Sequence, residues 1–249
     1  FLNDFCVYVP SILLIPLLLR SLPQQPPAPV NPLSGQEKFL AVVFSLGSGY
    51  LFSYVTLALI HVLEGFVGQS SGNAVSAMES ALPPVTAILT FVVVAPIAEE
   101  FIFRRLLLDR VRIFGDGAAI LIGGAAFGLF HGNLNQTLYA FVLGAVFSAI
   151  VLLTNRLRYT IGIHMLINGI SVLTTLVESD LLDYLLACVI LFSICFSVVL
   201  FFVRRKHYTL EPGPLPFSRA EKAHACFTSP WVWILLVGGL AYSGVSIFL

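Results

Sequence analysis

Charge is scarce in this sequence. Only 10% of its 249 residues are Asp, Glu, Lys or Arg, whereas 58% are hydrophobic and the mean hydropathy is +0.95. Soluble domains carry about 25% charged residues, so this composition excludes a soluble domain of this length. The net charge is zero, which argues against nucleic acid as a partner. We therefore expect a polytopic membrane protein whose helices pack against lipid and against one another.

Several familiar catalytic and metal-binding patterns are also absent. The four cysteines have no CxxC or zinc-finger spacing, which predicts small buried or free thiols. No HExxH pattern occurs, and the GxSxG match at 68–72 does not follow a predicted strand as a nucleophile elbow would, so a serine nucleophile is not indicated. No signal peptide is visible. The start at Phe1 rather than Met leaves open whether an N-terminal segment is missing.

Long apolar runs divide the chain into about eight predicted membrane helices, each of which needs about 20 mostly apolar residues. The predicted spans are 5–19, 39–63, 83–112, 118–130, 138–153, 159–177, 181–203 and 231–249. A proline-rich linker at 20–36 and a polar loop at 204–229 interrupt them. The fold class is therefore all-α, as one integral-membrane domain over 1–249 with a catalytic core at about 82–178.

The basic residues give this map an orientation. With eight alternating spans, all of them fall on one side, and the positive-inside rule makes that side cytoplasmic. The linker and the polar loop are then cytoplasmic, and both chain ends face outward. The basic residues are Arg20, Lys38, Arg104, Arg105, Arg110, Arg112, Arg156, Arg158, Arg204, Arg205, Lys206, Arg219 and Lys222.

The third span carries three ionisable residues where a membrane helix is otherwise apolar. Glu99 and Glu100 are adjacent, and Arg104 follows four residues after Glu100. Ionisable residues inside a span are expensive and mark functional sites. Glu100 and Arg104 share a helix face and can pair, which would keep Glu100 ionised. Glu99 lacks a cation at that spacing and is therefore the better candidate for a general base.

Two further spans supply polar residues at a similar depth, counted at about 1.5 Å per residue. His131 closes the fourth span, with Phe127 one turn before it, and the sixth span carries His164 and Asn168 on one face. His131 could share a water with the base, and the other two could stabilise an oxyanion. Together these groups indicate a water-activating acyl-transfer site.

A metal site is the alternative for the same residues. His and Glu are good zinc ligands, and the set would be Glu99, His131 and His164. However, no histidine pair lies four residues apart on one helix. We therefore predict a site without metal or other cofactor, with a divalent ion such as zinc as the alternative.

Three ordered motifs carry a resemblance to a known family. They are EExxxR at 99–104, FxxxH at 127–131 and HxxxN at 164–168. In this order the motifs resemble those of the CAAX protease and bacteriocin-processing (CPBP) family, the type II CAAX prenyl endopeptidase-like proteins. The resemblance covers about 85–177 and is closer to bacterial members.

The resemblance implies an intramembrane endopeptidase with an eight-helix core. It implies that Glu99 activates the water with help from His131, that His164 and Asn168 form the oxyanion hole, and that Glu100 and Arg104 support them. A bacterial member is expected in the inner membrane, with a cavity toward the cytoplasm. Its expected partners are lipids and a peptide or membrane-protein substrate, with or without a lipid anchor.

Two other functions are compatible with the same residues. One is a non-catalytic protein for bacteriocin self-immunity or partner binding, which would keep its function without Glu99. The other is a proton-coupled transporter that uses the carboxylate pair as a relay, although the broken helices in two corresponding halves that favour such a transporter are not visible.

Overall fold

The computed structural model describes residues 2–22, 29–67, 81–204 and 209–245, and all of the regular structure in these ranges is helical. Parts of the predicted linker (23–28) and of the predicted polar loop (205–208) lie outside the described residues. Ser34 and Glu37 form a capping box before the second helix. The helices are α1 (Leu2–Leu18), α2 (Gly35–Val67), α3 (Pro84–Phe114), α4 (Asp116–Phe130), α5 (Leu134–Thr154), α6 (Leu157–Leu176), α7 (Asp180–Arg204), α8 (Arg219–Thr228) and α9 (Pro230–Val245).

The number of helices able to cross a membrane is smaller than predicted. Among the described residues α2, α3, α5, α6 and α7 are long and apolar enough, and a sixth span results if α8 and α9, bent by 60° at their junction, are counted together. The prediction of an all-α, multi-pass membrane protein is confirmed, but the count of eight is not reached. Helices α1 and α4 have 17 and 15 residues, roughly 25 and 22 Å against a hydrocarbon thickness of about 30 Å.

Small residues allow the central helices to approach closely. Helix α5 packs against both α4 and α2, and α2 also packs against α7. A side chain at Gly124 or Gly128 would meet the α5 backbone, at 2.8 Å from the carbonyl of Phe141 and 2.6 Å from that of Thr137. This small-xxx-small pair therefore serves packing within the chain.

The outer surface is apolar, as expected for helices in lipid. Helix α7 exposes large side chains such as Leu185, Phe192 and Phe202 along its length. The free cysteines Cys188 and Cys195 lie on the same helix and are exposed. Because lipid is as apolar as these side chains, the exposed surface needs no soluble partner.

Basic side chains join several helix ends at one end of the bundle. Arg110 on α3 donates to the carbonyl of Leu22, just after α1, at 2.8 Å. Arg105 donates to Asn155, the left-handed residue that ends α5, at 2.9 Å. Lys222 on α8 donates to the last carbonyl of α3 at 2.7 Å. We call this region the basic end, defined by Arg105, Arg110 and Lys222.

Candidate active site

Helix α3 departs from regular α-helical geometry on both sides of the two glutamates. Ile88–Val94 and Phe101–Leu107 are π-helical, and Ala95–Glu100 between them is α-helical. π-Helical turns are rare and are frequently found at functional sites. Nothing in the sequence pattern predicted them, and they set the direction in which the glutamates point.

Asn168 satisfies a carbonyl that the first π-helical segment leaves open. In such a segment an N–H bonds to the carbonyl five residues earlier, as Ala95 does with Thr90. The residue that would serve the Phe91 carbonyl in this way is Pro96, which has no N–H. The side-chain amide of Asn168 on α6 donates to Phe91 instead, at 2.9 Å. This bond fixes α6 against α3.

The two glutamates contact opposite sides of one imidazole. His164 Nε2 lies 3.8 Å from Glu99 Oε2, and His164 Nδ1 lies 3.3 Å from Glu100 Oε1. All three side chains are buried, with Glu100 fully inaccessible. Adjacent helical residues point about 100° apart, and the histidine lies between these two directions. The sequence predicts that His164 lies near the two glutamates, but it does not predict that the imidazole lies between them.

Arg104 is buried beside Glu100, with its Nε 3.2 Å from Glu100 Oε2. Its guanidinium also lies 5.1 Å from the ring centre of Phe127 and 5.9 Å from that of Phe147, distances typical of cation–π contacts. The four-residue spacing of Glu100 and Arg104 predicts this pair. The Arg104 side chain is 0% exposed. Its partner is a carboxylate inside the bundle, and this is what makes its burial tolerable.

The buried cluster contains more acidic than basic side chains. Glu99 and Glu100 accompany one guanidinium, that of Arg104. Both nitrogens of His164 face carboxylate oxygens, although a neutral imidazole donates from only one nitrogen. His164 is therefore the side chain that connects the two carboxylates.

His131 is held by the backbone of its own helix. Its Nδ1 lies 2.7 Å from the Phe127 carbonyl oxygen, which can only accept, so Nδ1 carries a proton. In the neutral ring Nε2 is then the acceptor. The Phe127 ring lies edge-on to both histidines, with centroids 4.9 Å from His131 and 5.7 Å from His164. Phe127 therefore spaces the two histidines while it packs against Arg104.

Tyr8 on α1 is a site residue that the sequence argument missed. Its hydroxyl donates to Glu99 Oε1 at 2.8 Å. The tyrosine ring stacks on Phe130, with centroids 6.3 Å apart. No motif marks this residue, and it is separated from Glu99 by 91 positions. The sequence feature that distinguishes Tyr8 is that it is the one tyrosine in this short apolar helix.

Comparison with known proteins bears on this site directly. Residues 81–170 match the family described as "Type II CAAX prenyl endopeptidase Rce1-like". We call these residues, which are similar to that family, the Rce1-like segment. The match includes every residue of the three motifs, from Glu99 to Asn168. Tyr8 lies outside the Rce1-like segment, and α1 therefore brings a contact to the site from beyond the matched region.

A similar protein is known from a bacterium. The chain is 23% identical over 178 residues, covering 68% of this chain and 69% of the relative, to the protein described as "Putative membrane peptidase YdiL" of Bacillus subtilis strain 168. No solved structure matches this chain. The resemblance to the CAAX protease and bacteriocin-processing family inferred from the three motifs is confirmed by these matches.

The structure brings most of the predicted residues of the Rce1-like segment into contact with one another. Glu99, Glu100, Arg104 and His164 form one buried cluster, and His131 joins it through the ring of Phe127. Asn168 contacts α3 two turns before the glutamates, so it lies next to this cluster rather than within it. The catalytic roles of these residues stay predictions.

The same residues give no ready-made metal site. Within residues 2–22, 29–67, 81–204 and 209–245, no group of three or more His, Cys, Asp or Glu side chains is arranged to hold a metal ion. In the set Glu99, His131 and His164, one nitrogen of His131 is engaged by a backbone carbonyl, and His164 is engaged by two carboxylates. The bond to the backbone leaves Nε2 of His131 open, and Glu99 Oε2 and His164 Nε2 face each other at 3.8 Å.

Proposed function

We propose that this protein is an intramembrane endopeptidase in which Glu99 activates a water molecule for attack on a peptide bond. The observation that carries the proposal is the buried contact between the Glu99 carboxylate and His164, inside the Rce1-like segment. A carboxylate in an apolar bundle is expensive. Its placement beside a second titratable group is what proton transfer requires.

The proposed reaction has a simple proton balance. Glu99 takes a proton from water as the water oxygen bonds to the carbonyl carbon of the scissile peptide. When the carbon–nitrogen bond breaks, Glu99 returns that proton to the departing amine. Nε2 of His131 assists by accepting a hydrogen bond from the same water.

The tetrahedral intermediate requires hydrogen-bond donors at its oxyanion. We assign this role to Nε2–H of His164 and to the amide of Asn168. The Asn168 amide has two hydrogens, so its bond to Phe91 uses only one of them. Glu100 and Arg104 support this arrangement by fixing the other side of the His164 ring, at Nδ1.

We further propose a location in the bacterial inner membrane, with the site open toward the cytoplasm. The basic end supports this orientation, because Arg105, Arg110 and Lys222 gather at one end of the bundle and the positive-inside rule favours that end in the cytoplasm. The description of the Bacillus relative as a membrane peptidase supports the bacterial setting.

The proposed substrate is a peptide or a membrane-protein segment, such as a pheromone or bacteriocin precursor. A lipid-exposed apolar exterior also admits a substrate held in the bilayer by a lipid anchor. The surrounding lipids are the other proposed partner, and no nucleic acid and no resident metal or cofactor takes part in this proposal.

The test compares membrane and secreted peptides from cells with wild-type protein and with Glu99→Gln. Glu178→Gln, in the exposed connection between α6 and α7, is the matched control. Precursors that accumulate only with Glu99→Gln are then offered to the purified proteins. We expect Glu99→Gln to cleave them at least about 100-fold more slowly than wild type, and Glu178→Gln to cleave them normally.

The two alternative functions predict different behaviour of the Glu99→Gln variant. A self-immunity or partner-binding protein would keep its cellular function in the Glu99→Gln variant. A proton-coupled transporter would show proton-dependent uptake in liposomes that Glu99→Gln abolishes. Cleavage at the wild-type rate by purified Glu99→Gln would refute the proposed role of Glu99.

A further inference from the structure

Tyr8 contacts the carboxylate that the proposed reaction depends on, but from a helix outside the Rce1-like segment. Its hydroxyl donates to Glu99 Oε1 at 2.8 Å. Its ring is held separately by stacking on Phe130. The hydroxyl and the ring therefore have distinct contacts, and removal of the hydroxyl alone leaves the packing of the ring in place.

The two oxygens of Glu99 have different neighbours. Oε1 accepts from Tyr8, whereas Oε2 lies 3.8 Å from His164 Nε2. A carboxylate held at one oxygen cannot turn freely about its last torsion angle, which is otherwise broad. The bond from α1 therefore fixes the plane of the carboxylate and directs Oε2 toward α6.

The other end of α1 is fastened to the helix that carries Glu99. Arg110 donates to the carbonyls of Leu19 and Leu22, at 3.3 and 2.8 Å. Tyr8 is eleven residues from Leu19, about 16 Å along a helix. Both ends of this stretch are thus joined to α3. The two contacts fix the position of the Tyr8 hydroxyl along the α3 axis, level with Glu99.

We propose that Tyr8 is a positioning residue for Glu99, holding Oε1 so that Oε2 is directed at the water and the scissile carbonyl. The inference rests on the proposed function. It predicts that loss of the hydroxyl lowers kcat and leaves KM nearly unchanged, because Tyr8 orients the base rather than binding the substrate.

The experiment measures kcat and KM for cleavage of one accumulated precursor by purified wild type, Tyr8→Phe, Tyr184→Phe and Glu99→Gln. Tyr184→Phe is the matched control, because this tyrosine is exposed on α7. We expect kcat to fall about tenfold in Tyr8→Phe, the scale of a hydrogen bond to a charged group. We also expect its KM to stay close to that of wild type. Tyr184→Phe should match wild type, and thermal unfolding should show all four proteins fully folded at the assay temperature.

Three results would overturn the inference. Wild-type kinetics in Tyr8→Phe together with an inactive Glu99→Gln would remove Tyr8 from the site while leaving the proposed function intact. A Tyr8→Phe variant with a raised KM and an unchanged kcat would assign Tyr8 to substrate binding rather than to positioning Glu99. Full activity in Glu99→Gln would overturn the proposed function, and the inference with it.

Discussion

The side-chain amide of Asn168 donates a 2.9 Å hydrogen bond to the backbone carbonyl of Phe91. The bond crosses from α6 to α3 and replaces the main-chain bond that Pro96 cannot make. Asn168 therefore has a structural role besides the oxyanion role that we propose for it. The two roles are separable by mutation, because one depends on Pro96 and the other does not.

Replacement of Asn168 by alanine should lower the free energy of unfolding by about 1 kcal/mol, since hydrogen bonds between membrane helices contribute on this scale. In a Pro96→Ala background the loss should be smaller, because the introduced alanine could supply an N–H to the Phe91 carbonyl. Unfolding in detergent of the two single variants and the double variant measures this coupling. An equal loss in both backgrounds would contradict the compensation.

Replacement of Arg104 by methionine should be strongly destabilising. The variant leaves Glu100 buried with its principal cation removed, and removal of one partner of a buried ion pair costs about 3–5 kcal/mol. The double variant with Glu100→Leu should recover much of this loss. Arg158→Met, at an exposed position, is the control and should change the unfolding free energy by less than about 1 kcal/mol. A mild effect of Arg104→Met would mean that the buried pair is not formed.

Substitution of His131 by asparagine distinguishes the roles of its two ring nitrogens. Asparagine can donate to the Phe127 carbonyl as Nδ1 does, but it offers no counterpart of Nε2. If Nε2 acts on the water, His131→Asn should lose about as much cleavage activity as His131→Ala, roughly 100-fold, while its thermal stability stays closer to wild type. Recovery of activity in His131→Asn would limit His131 to holding the end of α4.

Gly144 on α5 sets the position of Phe127. A Cβ at Gly144 would lie 2.8 Å from the Cβ of Phe127, so Gly144→Ala must displace the ring that spaces the two histidines. We expect a loss of about 1–3 kcal/mol together with reduced cleavage. Gly162→Ala on α6 is the matched control, because nothing lies within 4 Å of its added methyl group. It should be neutral or stabilising by up to about 1 kcal/mol.

Removal of metal ions tests the cofactor prediction. Cleavage by protein purified with a chelator should match cleavage by untreated protein, because the proposed reaction uses only side chains and water. Addition of Zn²⁺ should not raise the rate. A chelator-dependent loss that Zn²⁺ restores would instead favour Glu99, His131 and His164 as ligands.

Several features of the site follow from the sequence because they lie within one helix. Glu100 and Arg104 are four residues apart, so a helix places them on one face. In the structure Arg104 Nε lies 3.2 Å from Glu100 Oε2. The full burial of Arg104 was not predicted, because counting charges along a chain says nothing about burial. Among the described residues fewer helices than predicted are long enough to span, because hydropathy along the chain does not fix where a helix ends.

The long apolar runs determined that this is an all-α membrane protein, because a continuous run of about 20 apolar residues spans lipid as a helix, which satisfies its backbone hydrogen bonds internally. The ordered motifs determined which family it resembles. Only the tertiary structure decided that His164 lies between Glu99 and Glu100 and that Tyr8 reaches Glu99 from α1. Those contacts depend on how each helix is rotated about its own axis and how far it is shifted along the membrane normal. In a membrane the helix faces toward lipid and those toward protein are both apolar. The sequence pattern therefore does not determine rotation or shift, which are set when the helices pack.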